Sequence, residues 1–243
     1  IQRFYSYAIG AKQYDQLVKI FSISIKCTII LAISVSVILE ILGLWYIQNK
    51  LVVPIDKLGI ATICFHFSVI TFLCTILQIP FTATIFAHED MGVYATISSI
   101  ECLLKLLVAF LIGKIVLDNL SFYCLGLMVV AIIVYGSYAM WANWKYDECK
   151  HYVNVKEKGL YKKILSFSGW TLFGSFAKIT MVQGSTLLLN FFFGPLTNAS
   201  FAIAIQISNA FTSLSNNMVL AARPAMIKSY AEGNENYLNQ LFN

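Results

Sequence analysis

The chain of 243 residues is 58% hydrophobic and only 12% charged, and its mean hydropathy is +0.73. This balance excludes an ordinary water-soluble domain and is typical of a membrane protein. The formal net charge of +5 is not gathered into the continuous basic and aromatic patch of a nucleic-acid-binding surface, so no nucleic-acid partner is expected.

Six stretches are long enough to cross a membrane, because a helix needs about 20 mostly apolar residues to do so. They are residues 17–47, 58–87, 94–112, 120–144, 165–193 and 196–222. A closed barrel would instead show segments of about 10 residues that alternate in polarity. We therefore predict an all-α integral membrane protein with six transmembrane helices.

The first span contains Glu40, which shares a helix face with Lys26 but lies 14 residues from it. At helical rise these two charges are about 21 Å apart, too far for an ion pair. No partner for Glu40 is visible, so it is the candidate for a carboxylate that binds a proton or a sodium ion. The alternative is that Glu40 reaches the outer membrane interface, which Trp45 and Tyr46 mark.

The second span is interrupted by Pro80, which predicts a kink that is either a hinge or a fixed bend. One face of this span is polar, and His66 points the opposite way and is interpreted as structural. The polar residues are Thr71, Thr75, Gln78 and Thr82. In the third span Glu101 precedes Lys105 by four residues, the favourable order for an ion pair on a helix, and we expect the two to neutralise each other.

The only long polar stretch is residues 145–163, between the fourth and fifth spans. Its mixed charges predict a solvated connector that lies near anionic lipid headgroups, and a specific lipid site is the sharper alternative.

The fifth span contains a single charge, Lys178, nine residues from Gly169 near its start. That distance is roughly 14 Å along the axis, close to the middle of a membrane. Lys178 belongs to a polar face about 140° wide at helical spacing, whose other members are Thr171, Ser175, Gln183, Thr186 and Asn190. Its partner is expected to be a transient anion or a static carboxylate, Glu40 or Glu101, and a neutral or snorkelling lysine is the remaining alternative.

The sixth span has no charge but carries a polar stripe about 100° wide at helical spacing. The stripe consists of Asn198, Gln206, Asn209, Ser213, Asn216 and Asn217. Such residues either hydrogen-bond across a helix contact or line a hydrated cavity, and their number favours the cavity. The predicted cavity-lining residues are Lys178, Gln183, Thr186, Asn190, Gln206, Asn209, Ser213 and Asn217.

Lysine and arginine are unevenly divided between the two sets of loops. Residues 1–19, 88–93, 143–163 and 223–243 hold 11 of them, and the intervening loops hold 3. The first set is therefore predicted to be cytoplasmic.

A short sequence recurs near the two ends of the chain. SYAIGAKQY occupies residues 6–14 and SYAEGNENY residues 229–237, with five identities in nine positions. An even number of predicted spans separates the copies, as a parallel repeat of two six-helix halves requires. We expect a segment of a two-lobe transporter: residues 1–144 are the last four helices of one lobe, 145–163 the linker, and 164–243 the first two helices of the next lobe with a following loop.

Three blocks carry a resemblance to a known family: LQIPFTATIFAHEDMGVYATIS, LLLNFFFGPLTNASFAIAIQI and ARPAMIKSYAEGN. They resemble the polysaccharide and O-antigen (lipopolysaccharide) flippases of the multidrug/oligosaccharidyl-lipid/polysaccharide exporter superfamily. The resemblance implies a MATE-like fold of twelve or more helices, of which this chain would match the third to eighth. It also implies flipping of a polyprenyl-pyrophosphate-linked oligosaccharide across the bacterial inner membrane by alternating access, among membrane lipids.

Two other functions remain open. A MATE-type drug or cation antiporter would need an acidic site in its cavity, and the fifth and sixth spans contain no Asp or Glu. A membrane-embedded glycan polymerase or ligase would need catalytic residues in a large outer loop, and the outer loops are short. No nucleophile with a base and no zinc-binding motif is present, so we expect neither catalysis nor a metal or other cofactor.

Overall fold

The computed structural model describes residues 1–49, 57–112, 119–153, 155 and 158–233. All regular structure in these residues is helical, which confirms the predicted all-α class for this part of the chain. The helices are α1 (Gln2–Gly10), α2 (Tyr14–Asn49), α3 (Leu58–Leu77), α4 (Ile79–Ala87), α5 (Met91–Leu111), α6 (Asn119–Lys145), α7 (Asp147–Lys150) and α8 (Lys158–Glu232).

Within the described residues, four helical stretches are long and apolar enough to cross a membrane. They are α2, α3 together with α4, α5 and α6, and they correspond to the first four predicted spans. Large apolar side chains such as Ile30, Leu103 and Phe110 are exposed on these helices. A wide exposed apolar surface is stable only in contact with lipid or another protein, so the chain is a multi-pass membrane protein.

The second span is broken where the sequence predicts a kink. Helix α3 ends at Leu77, and α4 begins at Ile79 with Pro80 in its first turn. Proline is tolerated there because the first N–H groups of a helix have no intrahelical acceptor. The Gln78 N–H still donates to the Cys74 carbonyl at 3.0 Å, so the break is confined to one residue. A hinge motion at Pro80 stays a prediction.

The expected loop at Gly194 between the fifth and sixth spans does not form a separate element, because both spans lie in α8. Phe167, near one end of α8, packs on Phe4 with ring centroids 5.8 Å apart. Lys228, near the other end, lies against Gly10. A straight helix would separate Phe167 from Lys228 by about 90 Å, whereas α1, which contacts both, is only about 14 Å long.

Helix α8 therefore turns back on itself between Phe167 and Lys228. We call residues 158–193 its first arm and residues 196–232 its second arm. Gly194–Pro195 lies at the centre of α8. Proline removes one helical hydrogen bond and is the usual cause of a sharp kink. The reversal of direction that the sequence predicts is present, but it occurs within a continuous helical element. Whether both arms cross a membrane stays a prediction.

The buried core lies where α1, α2, α4 and α6 meet. Tyr5 and Ile85 are fully buried there, and Tyr138 is nearly so. Phe81 packs edge-on against both Phe21 and Tyr135, at centroid distances of 5.7 and 6.1 Å, a favourable geometry for aromatic rings. This core fixes the position of α4, which lines the candidate site.

Charged residues of the linker such as Lys145, Asp147 and Lys150 are exposed, as in a solvated connector, but its apolar residues pack on the bundle. Tyr146, Cys149 and Val155 are buried, and the Val153 N–H donates to the Ser22 hydroxyl at 3.0 Å. Val155 belongs to a small apolar cluster with Ile23 of α2. The apolar residues scattered among the charges of the linker hold its described part against the helix bundle, because burying them removes apolar surface from water.

Candidate functional site

A groove of about 590 Å³ lies between α1, α4 and the first arm of α8. Its polar lining residues are Gln2, Thr82, Ser168, Thr171 and Ser175, and its apolar ones include Phe86 and Leu172. Within the described residues, the buried Gln2 amide nitrogen has no hydrogen-bond partner. The groove thus combines hydroxyl groups, an unused donor and apolar walls.

The groove meets the polar face that the sequence predicts on the fifth span. Thr171 and Ser175 are members of that face, and both line the groove. Lys178 follows Ser175 on the same face, about 4.5 Å further along the helix. Its side chain is exposed, and no carboxylate in the described part of the chain forms an ion pair with it.

The two carboxylates that were expected as static partners of Lys178 are engaged elsewhere. Glu101 Oε1 lies 2.6 Å from Lys105 Nζ, the pair that the four-residue spacing predicts. Glu40 Oε1 lies 3.1 Å from His66 Nδ1, so Glu40 does have a partner, and a contact of this kind is compatible with the structural role predicted for His66. The structure therefore contains no static ion pair between Lys178 and either acid.

The other predicted cavity residues fall on the two arms of α8. The side chains of Gln183, Gln206, Asn209, Ser213 and Asn217 are exposed. The Thr186 hydroxyl donates to the Val182 carbonyl at 3.0 Å. The side chains of Asn190 and Asn198 lie outside the described set. Apolar residues on the other faces of the second arm, such as Ile207 and Val219, are equally exposed, so a cavity along this arm stays a prediction.

A second cavity, of about 370 Å³, lies among α3, α5 and α6. The Glu101–Lys105 pair lines it together with Tyr123 of α6. Three residues of the predicted polar face of the second span also line it, namely Thr71, Thr75 and Gln78. The sequence does not predict that this face and the ion pair meet, because spacing along one helix does not show which helices face each other.

Ion pairs gather at one end of the molecule, which we call the charged end and define as residues 1–19, 88–91, 145–153 and 223–233. The pairs are His88 with Glu148 at 2.6 Å, Lys145 with Asp90 at 2.7 Å, and Lys228 with Glu89 at 2.8 Å. Each joins two segments that are distant in sequence. The segments rich in Lys and Arg, which the charge count placed on one side of the membrane, thus meet at one end of the structure.

Asp90 is the centre of this network. It accepts hydrogen bonds from Lys145 and from the Tyr146 hydroxyl, and the Tyr146 ring stacks on His88 at 4.2 Å. Burial favours the neutral form of Asp90, but the two hydrogen bonds outweigh it and the pKa is lowered. Burial and the neighbouring Glu148 raise the pKa of the Cys149 thiol to about 12, so this cysteine stays protonated and unreactive.

Comparison with known proteins assigns no family and no function to the chain. The resemblance to flippases therefore rests on the three sequence blocks alone. The substrate and the membrane that it implies are taken up as proposals below. No protein-family model, no curated protein and no solved structure matches the chain.

Proposed function

We propose that the chain forms part of a transporter that flips a polyprenyl-pyrophosphate-linked oligosaccharide across the bacterial inner membrane for cell-surface polysaccharide biosynthesis. In this proposal residues 1–144 and 164–243 belong to the two lobes of a MATE-like fold, and the substrate passes between them by alternating access. The single observation that supports it best is Lys178, which forms no ion pair within the described residues and shares a helix face with Thr171 and Ser175 of the groove.

The chemistry of the groove fits the parts of such a substrate. A compact ammonium group is a good partner for phosphate oxygens, so Lys178 would bind the pyrophosphate. The hydroxyls of Thr171 and Ser175, which are exposed and line the groove, would meet sugar hydroxyls. The apolar part of the lining, including Phe86 and Leu172, would accommodate the start of the polyprenyl chain.

Glu40 is proposed to couple transport to a proton or a sodium ion. Its contact with His66 at 3.1 Å places an imidazole nitrogen beside the carboxylate. Both side chains are partly exposed, Glu40 by 35% and His66 by 43%, which leaves the carboxylate accessible to an ion.

Substitution of Lys178 tests the proposal in cells that display the glycan. Lys178→Ala is expected to abolish surface glycan while protein level and melting temperature stay close to wild type, because the side chain has no ion-pair partner among the described residues. Lys178→Arg should retain part of the export, since a guanidinium also binds phosphate. The matched control is Lys163→Ala, an exposed lysine on the same arm of α8. Normal export by Lys178→Ala would reject the proposal.

A second candidate function is a drug or cation antiporter of the same superfamily. The observation in its favour is Glu101, a carboxylate in the cavity among α3, α5 and α6. Lys105 neutralises this carboxylate at 2.6 Å, which weakens its attraction for a cationic drug. Resistance to cationic dyes that depends on Glu101 but not on Lys178 would favour the antiporter.

A further inference from the structure

A groove of about 740 Å³ lies between α5 and α6 where these helices reach the charged end. We call it the α5–α6 groove. Its walls are mainly apolar and include Val93, Ile97, Met140, Trp141 and Trp144. Met140 and Trp144 are 72% and 71% exposed, so the groove is open along one side. A concave, mostly apolar site of this size is typical of a ligand site.

The α5–α6 groove lies at the depth of lipid headgroups and the first part of the acyl chains. It extends from Asp90 to Ile97 along α5 and from Ser137 to Trp144 along α6, which is about 10 Å on each helix. Both stretches start at the charged end. Tryptophan is enriched where a membrane meets water, and Trp141 and Trp144 therefore mark the same level.

Toward the middle of the two helices the groove continues into exposed apolar surface. Ile133 and Val129 precede Met140 by 7 and 11 residues on α6, spacings that keep them on one helix face, and both are exposed. On α5, Leu103 follows Thr96 by seven residues and is exposed as well. Because such surface is stable against lipid tails, an acyl chain that covers it can extend into the groove.

The polar lining of the groove consists of hydrogen-bond acceptors. Glu89 and Asp90 contribute carboxylates, and Thr96 and Ser137 contribute hydroxyl groups. Each hydroxyl already donates to the carbonyl four residues earlier in its own helix, at 2.8 Å. A hydroxyl has one proton to donate but two lone pairs, so all four side chains are suited to accept hydrogen bonds from an occupant.

Two lysines flank these acceptors, and they differ in access. Lys145 Nζ lies 2.7 Å from Asp90 Oδ2 and its side chain is 40% exposed. Lys228 Nζ lies 2.8 Å from Glu89 Oε1 but is only 18% exposed, whereas Glu89 is 43% exposed. An ammonium group has three N–H donors, so Lys145 can bind a second anion. The groove therefore presents an accessible carboxylate, Glu89, and an accessible cation close to it in the same network.

We propose that the α5–α6 groove binds a phospholipid whose headgroup carries a primary ammonium group, with phosphatidylethanolamine as the simplest case. The lipid ammonium group donates to Glu89, the phosphate accepts from Lys145, and one acyl chain lies along Met140. A headgroup without an amine brings no cation to the carboxylates, and a quaternary ammonium group has no N–H to donate to them. The inference concerns a bound membrane lipid and does not depend on the proposed transport function.

Quenching of tryptophan fluorescence by brominated lipids tests this site in the membrane-inserted chain. Trp45 and Trp170 are replaced by phenylalanine, so that Trp141 and Trp144 are the remaining tryptophans. The protein is placed in phosphatidylcholine vesicles that contain a small fraction of brominated phosphatidylethanolamine, phosphatidylglycerol or phosphatidylcholine. We expect phosphatidylethanolamine to quench at a roughly tenfold lower fraction than the other two, because it makes one more hydrogen bond to a charged group.

Two matched pairs of variants separate lipid binding from general disturbance. Glu89→Gln and Lys228→Gln break the same ion pair, but only Glu89→Gln removes a carboxylate of the groove, so it alone should lose the preference for phosphatidylethanolamine. Gly92 lines the groove and has open space where a side chain would be, so Gly92→Leu should fill the groove and abolish the preference. Gly136→Leu, which also has open space but lies outside the lining, should keep it.

Equal quenching by the three brominated lipids would overturn the proposal. A preference for phosphatidylglycerol would assign the groove to an anionic lipid instead, and quenching by none of the three would show that another protein segment covers it. Loss of the preference in both Glu89→Gln and Lys228→Gln would reject the contact between the headgroup and Glu89. If a charge variant fails to insert, Gly92→Leu decides the matter, because an unchanged preference in this variant would place the bound lipid outside the groove.

Discussion

Asp90 shows how a single residue can organise one end of a membrane protein. It follows α4 and immediately precedes α5, and it accepts hydrogen bonds from Lys145 at the end of α6 and from Tyr146 beyond it. Hydrogen bonds to a charged group contribute more to stability than neutral ones. The carboxylate therefore links the turn between α4 and α5 to the end of α6, and its directional bonds add to the apolar packing of these helices.

Removing this charge should reduce stability in a pH-dependent way. Asp90→Asn is expected to lower the free energy of unfolding by about 1–2 kcal/mol at pH 7, a value below that of a fully buried pair because Asp90 and Lys145 are partly exposed. The pKa of Asp90 is lowered in the folded chain from its ordinary value of 3.8. Its contribution is thus complete above that value and is lost as the pH falls through the folded pKa.

The measurement is thermal unfolding of detergent-solubilised protein from pH 7 down to pH 2. The difference between wild type and Asp90→Asn should shrink toward the acid end of this range. The control is Asp147→Asn, whose partner Lys150 lies on the same short helix and whose loss should have little effect on stability. An equal loss of stability in both variants would contradict the role given to Asp90. So would a stability difference between wild type and Asp90→Asn that does not depend on pH.

The contact between Glu40 and His66 is one that the sequence could have predicted. The two residues are equally far from residue 53, between α2 and α3, and neighbouring antiparallel helices bring such positions to the same depth. Within α2, the helix of Glu40, the nearest basic residue is Lys26, which is too distant for an ion pair. Lys178 is different, because spacing along its own helix places it on one face with Thr171 and Ser175, which line the groove between α1, α4 and α8.

At the scale of the helices, close approach depends on particular glycines. A Cβ atom at Gly126 of α6 would lie 2.5 Å from a methyl group of Val108 in α5. Small residues at such points let membrane helices pack closely. Gly136, on the same helix, has open space where its side chain would be, so the two glycines of α6 form a matched pair.

Replacing these two glycines by leucine should have different effects on stability. Gly126→Leu is expected to destabilise the protein by about 2 kcal/mol, because it overpacks the contact between α5 and α6. Gly136→Leu should leave stability nearly unchanged. Melting temperatures of the two variants in the same detergent provide the measurement. A similar melting temperature for both would show that α5 and α6 do not meet at Gly126.

The ends of the first four spans followed from the sequence to within a few residues, because apolar runs and the proline at position 80 are local signals. The linker and α8 did not follow in the same way. The charges between residues 145 and 163 indicated solvation, whereas Val155 is buried against α2. The path of α8 depends on contacts with α1, more than 150 residues away in sequence, and no local pattern encodes such a contact.

At the scale of the whole molecule, the loops that are rich in Lys and Arg are also the segments that pack together at the charged end. The segments that hold most of the Lys and Arg meet at the charged end through three ion pairs between distant segments. Positive charge in short loops fixes which side stays in the cytoplasm. Ile1 and Gln2 belong to this end and line the groove between α1, α4 and α8, so the groove adjoins the side that the charge count predicts to be cytoplasmic.

The course of the chain through the membrane can be tested with single cysteines in a cysteine-free background. Lys150 and Tyr230 lie at the charged end, and both are exposed, so cysteines there should react only with a reagent on the cytoplasmic side. Lys57, at the far end of α3, should react only from the outside. Phe193, next to the bend of α8, should behave like Lys57 if both arms cross the membrane. Labelling of Phe193 from the same side as Tyr230 would show that α8 returns without crossing, and would remove Lys178 from the middle of the membrane.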